Sequence, residues 1–221
     1  MNKKNKVLRS TIIILLIFLS LIKVSCSSIK PVEKNNFLTK KVIHDSRDHF
    51  VTFELEIPEG WIACEDAGYR SIRACPENMT ESIYKSSDYH LILGISCYRE
   101  KTGDLSYKER IAAIEELLNG NSKPYETFTK DNVGEMDDDI VTDDFEFELF
   151  KGTYGKIATV KYTVTYPEEH GSITQHVIRC YREDIPYMVT GAFGKDDSLS
   201  SGDIALWAAN TLKVTEHFTA K

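Results

Sequence analysis

This 221-residue sequence predicts an α+β domain built on a mainly antiparallel sheet. Three observations carry the prediction. Period-two alternation of apolar and polar residues appears before residue 60 and recurs after residue 140. Two stretches, 106–118 and 201–212, carry apolar stripes at helical spacing instead. The strand runs follow one another through short turns rather than alternating with helices, as in an antiparallel sheet with helices packed against it.

The first strand runs from His49, with Val51, Phe53, Leu55 and Ile57 on one face and Thr52, Glu54 and Glu56 on the other. Pro58-Glu59-Gly60-Trp61 supplies the turn that ends it. Tyr69–Cys75 reads as a short second strand, Asn78–Asp88 as polar loop, and Tyr89–Tyr98 as a third strand. The period then changes. Ser106 and Glu109 form a capping box, and Tyr107, Ile111, Ile114, Leu117 and Leu118 share one side of the helix it opens. Asn119-Gly120 is a helix stop. The stretch to about Glu135 is irregular. Strands resume with Phe145, Phe147 and Leu149, turn at 151–155, and continue with Ala158, Val160, Tyr162, Val164 and Tyr166. After a hairpin loop at 167–171 come strands at 173–181 and 185–193. A last helix, 201–212, places Ile204, Trp207, Ala208 and Leu212 on one side.

The N-terminus gives the address. Lys3, Lys4, Lys6 and Arg9 precede an apolar run from Thr11 to Ile22, and Cys26 follows Lys23, Val24 and Ser25. A basic start, a short apolar core and a small-residue exit make a secretory signal, and the core falls short of the roughly 20 residues of a spanning helix. A cysteine at that exit resembles the lipobox of bacterial lipoproteins, although Lys23 stands where an aliphatic residue is usual. The resemblance implies cleavage before Cys26, lipidation there, and membrane attachment through the lipid, in the periplasm or at the surface. Ordinary cleavage nearby would instead release a secreted soluble protein. The division expected is a signal at 1–25, a lipidated tether at 26–42 and one domain at 43–221.

Residues 1–25 hold five of the 27 Lys and Arg and none of the 34 Asp and Glu, which leaves a mature chain near −12. Such a surface repels nucleic acid, so no nucleic-acid partner is expected. Cys64, Cys75, Cys97 and Cys180 remain, and four cysteines in an exported chain suggest two disulfides with three possible connectivities. Cys64–Cys75 is favoured because a short polar segment between them could close as a hairpin. Cys97 would then pair with Cys180, each in a Cys-Tyr-Arg-Glu string; free buried thiols are the alternative.

The strand entering Ile57-Pro58-Glu59-Gly60-Trp61, the capped helix 106–118 after a strand, and the strand series ending in a helix and Leu212-Lys213-Val214 together resemble the PsbP-like fold. The resemblance spans about 45–216. It implies an α/β/α sandwich around an antiparallel sheet, and domains that act as adaptors or binding modules rather than catalysts. It carries over no site residue.

Motifs for chemistry are scarce. Asp137, Asp138, Asp139, Asp143 and Asp144 are the densest acidic cluster, but they lack the spacing and turn glycine of a calcium loop, so Asp137, Asp138 and Asp139 are weak metal candidates against a solvated acidic loop. His176 and Cys180 share a strand face about 13 Å apart, too far for nucleophile and base. No nucleotide or serine-hydrolase motif occurs, and no cofactor is implied. Tyr162, Tyr166, Arg179, Tyr181 and Tyr187 are residue types enriched in interfaces and form a candidate partner patch, with core packing beneath a helix as the rival reading. The expectation is an exported, lipid-anchored, non-catalytic adaptor or binding module for another envelope protein. The alternative is a binding protein for a cation or small ligand.

Overall fold

The computed structural model describes residues 29–34, 37–65, 70–79, 94–99, 107–120, 141–165, 174–194 and 201–217. These form strands β1 (Lys30–Pro31), β2 (Thr39–Asp45), β3 (Val51–Pro58), β4 (Trp61–Glu65), β5 (Ser71–Pro76), β6 (Gly94–Arg99), β7 (Val141–Gly152), β8 (Gly155–Thr165), β9 (Thr174–Arg182), β10 (Tyr187–Gly194) and β11 (Lys213–Glu216). The helices are α1 (Tyr107–Leu118) and α2 (Ser201–Thr211).

Two antiparallel meanders, β4-β5-β6 and β7-β8-β9-β10, join where β6 pairs with β10. With β1 added in parallel to β7, they make an eight-stranded sheet in the order β1-β7-β8-β9-β10-β6-β5-β4. A second sheet has the order β11-β3-β2. The predicted α+β class and mainly antiparallel pairing are therefore present. The layering is richer in strand than a sheet covered by helices alone, because α2 shares its side of the large sheet with the small one.

Strand alternation builds two cores. On β8, Ile157 faces one side, while Ala158, Val160, Tyr162 and Val164 face the other. Val51, Phe53, Leu55 and Ile57 of β3 are at most 1% exposed and meet Ile95, Cys97, Ile178, Cys180 and Val189 of the large sheet. Ile204, Ala205, Ala208 and Ala209 of α2 complete this core. The helix lies close because its contact face is small and Gly191 beneath it lacks a side chain. A Cβ there would stand 3.1 Å from Ala205 Cβ. On the opposite face, Ile111 and Ile114 of α1 cover Val160, Tyr162, Tyr181 and Met188. Gly120, at φ 88°, ends the α1 segment as the Asn119-Gly120 stop predicts.

Three expectations are corrected. The tether reading of 26–42 fails from Lys30 onward. Lys30 and Pro31 pair with Phe150 and Lys151, β2 pairs along β3, and Val32, Phe37 and Val42 pack on the core. The aromatic patch is not a surface either. Tyr162, Tyr181 and Tyr187 are 3%, 1% and 3% exposed, and Tyr187 lies in the opposite core from the other two. Arg179 stacks over Tyr162, 5.6 Å from its ring centre, and Tyr166 is outside the described residues. Finally, Cys97 and Cys180 cannot pair. Both oppose Val189, on either side of β10, which sets them about 10 Å apart, beyond the reach of a disulfide.

Glu56 ties α2 to the small sheet. Its carboxylate accepts hydrogen bonds from Trp207 Nε1 and Thr39 Oγ1, both at 2.9 Å, and pairs with Lys34 at 3.8 Å. The indole hydrogen bond, above all, holds its pKa below the ordinary 4.5. A carboxyl whose folded pKa is depressed adds stability above its unfolded pKa and loses it as pH falls through the folded value. Stability should therefore drop as the solution is acidified below about pH 4.5. In Glu56→Gln it should be about 1 kcal/mol lower at pH 7 and less sensitive to acid. Urea midpoints of both forms between pH 7 and pH 3 check this; parallel pH profiles would contradict it.

Candidate binding groove

The polar parity of β7, β8 and β9 faces the same side as the start of α2. Cross-strand register sets Glu146, Lys161 and Ile178 in one row, and Glu148, Thr159 and Cys180 in the next. Thr163 and His176 form a third row towards the far end of these strands. Between this floor and the first turn of α2 lie two hollows of about 680 and 360 Å³. They share Lys161, Ile178, Gly202 and Asp203, so together they form one groove. Lys30, Pro31 and Glu33 close it on the β1 side.

Local sequence explains the opening. Large apolar residues fill the other parity of β8, whereas Thr159, Lys161 and Thr163 leave space on this one. Gly202 brings the helix start against the stem of Lys161, whose Cε is 3.5 Å from where a Cβ would stand. Asp203 in the first turn has the sign that suits a helix N-terminus.

Three charges within the groove are tied together. Lys161 Nζ donates to Glu148 Oε2 at 2.9 Å, and Lys30 reaches the other carboxylate oxygen at 3.5 Å. Partial burial disfavours the Glu148 charge, but the Lys161 and Lys30 contacts outweigh it and hold its pKa below 4.5. Thr159 is fully buried on the floor, and its Oγ1 has no hydrogen-bond partner among the described residues. An unpaired buried hydroxyl costs about 1–3 kcal/mol. His176 sits exposed at the rim. Cys180 lies deeper on the same strand face and is fully buried, with burial pushing its thiol pKa upward. The structure leaves His176 and Cys180 apart, as their spacing requires.

Of the proposed partner patch, Tyr162 lines the groove and Arg179, Tyr181 and Tyr187 do not; Asp144 of the acidic cluster lines it too. Among the described residues, no group of three or more His, Cys, Asp or Glu is placed to hold a metal; Asp137, Asp138, Asp139 and Cys26 lie outside those residues. Cys64, Cys75, Cys97 and Cys180 form no disulfide among the described residues. No helix among the described residues is long and apolar enough to cross a membrane. Thr159, Lys161 and Glu148 were missed because their parity reads as a solvated face. The available signal was the opposition of two charged faces, glutamates on β7 against lysine on β8.

No protein-family model matches the chain, and no curated protein sequence matches it. Among solved structures it is similar to the solution structure of cyanobacterial PsbP (CyanoP) from Synechocystis sp. PCC 6803. The two share 11% identity over 82% of this chain and 96% of that one, with a TM-score of 0.37. At that score neither site nor activity is carried across.

Proposed function

We propose that this is a lipoprotein of the cell envelope, lipidated at Cys26, whose PsbP-like domain is a non-catalytic binding module for another envelope protein. The groove between α2 and the β7-β8-β9 floor is its docking site. The PsbP-like reading rests on the turn that follows β3, where Gly60 takes φ 80° and Trp61 is buried. The binding reading is carried by the groove itself, whose wall holds Lys161, Glu148 and Lys30 in one ion-paired set. The strand edge beside it adds support. β1 pairs with β7 only at Phe150 and Lys151, so the outer edge of β7 from Val141 to Leu149 pairs with no strand among the described residues. An extended segment added there would gain main-chain hydrogen bonds while its side chains entered the groove.

The second reading, a cation or small-ligand binder, draws on the charge of the same groove. Asp144, Glu146, Glu148, Asp203 and Glu33 outnumber Lys30 and Lys161 along it, which favours positively charged groups.

The test is purification from native membranes after cross-linking, comparing wild type, Cys26→Ser and Gly202→Phe. Cys26→Ser should leave the membrane fraction. Gly202→Phe should remain there with an unchanged melting temperature, because a side chain at 202 meets Lys161 and Ile178 no closer than ordinary van der Waals contact, and should lose a near-stoichiometric protein partner by about tenfold or more. Equal recovery of that partner with Gly202→Phe would remove the groove from the proposal. Retention of Cys26→Ser on membranes would remove the lipid anchor.

A further inference from the structure

Cys64 and Cys75 sit at the opposite edge of the large sheet from the groove. In the β4–β5 hairpin Cys64 opposes Arg73 and Cys75 opposes Ile62, so the two cysteines share a face as diagonal neighbours. Such neighbours are about 7–8 Å apart, somewhat less between Cβ atoms, whereas a disulfide needs Cβ atoms about 3.5–4.5 Å apart. The Cys64 thiol is near enough to help raise the pKa of Cys75. β4 is the five-residue terminal strand of the sheet and among the described residues pairs only with β5, so the backbone movement that closes the bond is confined to this edge. Exposure divides the roles. Cys64 is partly open to solvent; Cys75 is fully buried, and burial, followed by the neighbouring Cys64, raises its thiol pKa to about 11.

We propose that Cys64 and Cys75 form a dithiol–disulfide exchange site, with Cys64 the entry thiol and Cys75 the resolving one. The oxidant is a low-molecular-weight or protein disulfide, RSSR. Cys64 thiolate bonds to one sulfur of RSSR, the RS–SR bond breaks, and RS⁻ leaves and takes up the proton released by Cys64. Cys75 thiolate then bonds to Cys64 Sγ, the mixed disulfide breaks, and the second RS⁻ leaves and takes up the Cys75 proton. Two protein thiols are oxidised, and RSSR is reduced to two RSH. The product fastens the edge strand to its neighbour.

The full chain, reduced and then exposed to oxidised glutathione, is alkylated, digested without reduction and read by mass spectrometry. The expected product joins Cys64 to Cys75, leaves Cys97 and Cys180 as thiols, and reverts with dithiothreitol. Cys75→Ser should accumulate a glutathione adduct on Cys64 about tenfold above wild type, because the resolving thiol is gone. Cys64→Ser should leave Cys75 reduced. A stable adduct on Cys64 in the wild type, or no reaction at either cysteine, would overturn the proposal. Adduct formation on Cys75 in Cys64→Ser at the wild-type rate would overturn the assignment of roles.

Discussion

Phe53→Ala is expected to cost about 3–5 kcal/mol, the range for removing a fully buried aromatic side chain. The ring is 0% exposed, in the middle of β3, where the small sheet meets the large one. It packs edge-on against Tyr187 at 5.7 Å, and β3 around it is held by β2 on one side and β11 on the other. The ring sits in a core closed by β3, the large sheet and α2, so filling the space it leaves requires packed elements to shift. Phe53→Leu should cost much less, under about 1.5 kcal/mol, since it keeps most of the volume. Urea denaturation gives both values. A loss below about 1 kcal/mol for Phe53→Ala, with an unchanged slope, would mean that the two sheets do not share a core at this point.

Arg182→Ala should be nearly as damaging, at about 3 kcal/mol, through a different mechanism. The Arg182 side chain is 4% exposed. Its Nε and Nη2 donate to the two carboxylate oxygens of Asp184, at 2.8 and 2.5 Å. Its Nη1 donates to the carbonyl of Ala209 at 3.3 Å and to that of Leu212. The guanidinium therefore caps the C-terminal end of α2, where carbonyls lack intrahelical partners and a positive charge is favoured. It also lies over the Tyr154 ring at 4.7 Å. Alanine strands the carbonyls; lysine cannot reproduce the fork, so Arg182→Lys should recover less than half of the loss. Arg182→Ala combined with Asp184→Ala should cost less than the two single losses added together. Additive losses, measured by the same denaturation, would contradict the Arg182–Asp184 pairing, and recovery of most of the loss in Arg182→Lys would contradict the forked geometry.

The parts of the fold legible in sequence are those where one chemical pattern decides the element. The alternation of β3, the stripe and stop of α1 and the apolar side of α2 each specify their element locally. β2 was hidden because Thr39-Lys40-Lys41 looks like a tether; Val42 packs on the core, but the strand's outer face is charged. Parity shows which side chains share a face and not what covers that face. Tyr162 and Tyr181 could therefore be read as a recognition surface until α1 was seen above them. The same limit concealed the groove, whose floor becomes a site only when register aligns three strands beneath Gly202. The Cys-Tyr-Arg-Glu echo suggested a bond between two strands that β10 separates.

The most direct test of the groove places a photo-reactive amino acid at His176, on the groove rim, or at Lys40, exposed on β2 in the other sheet, and irradiates native membranes. The account predicts that position 176 captures one envelope protein, that Gly202→Phe abolishes this capture, and that position 40 does not give the same product. Equal capture from both positions, or capture from position 176 that survives Gly202→Phe, would contradict it.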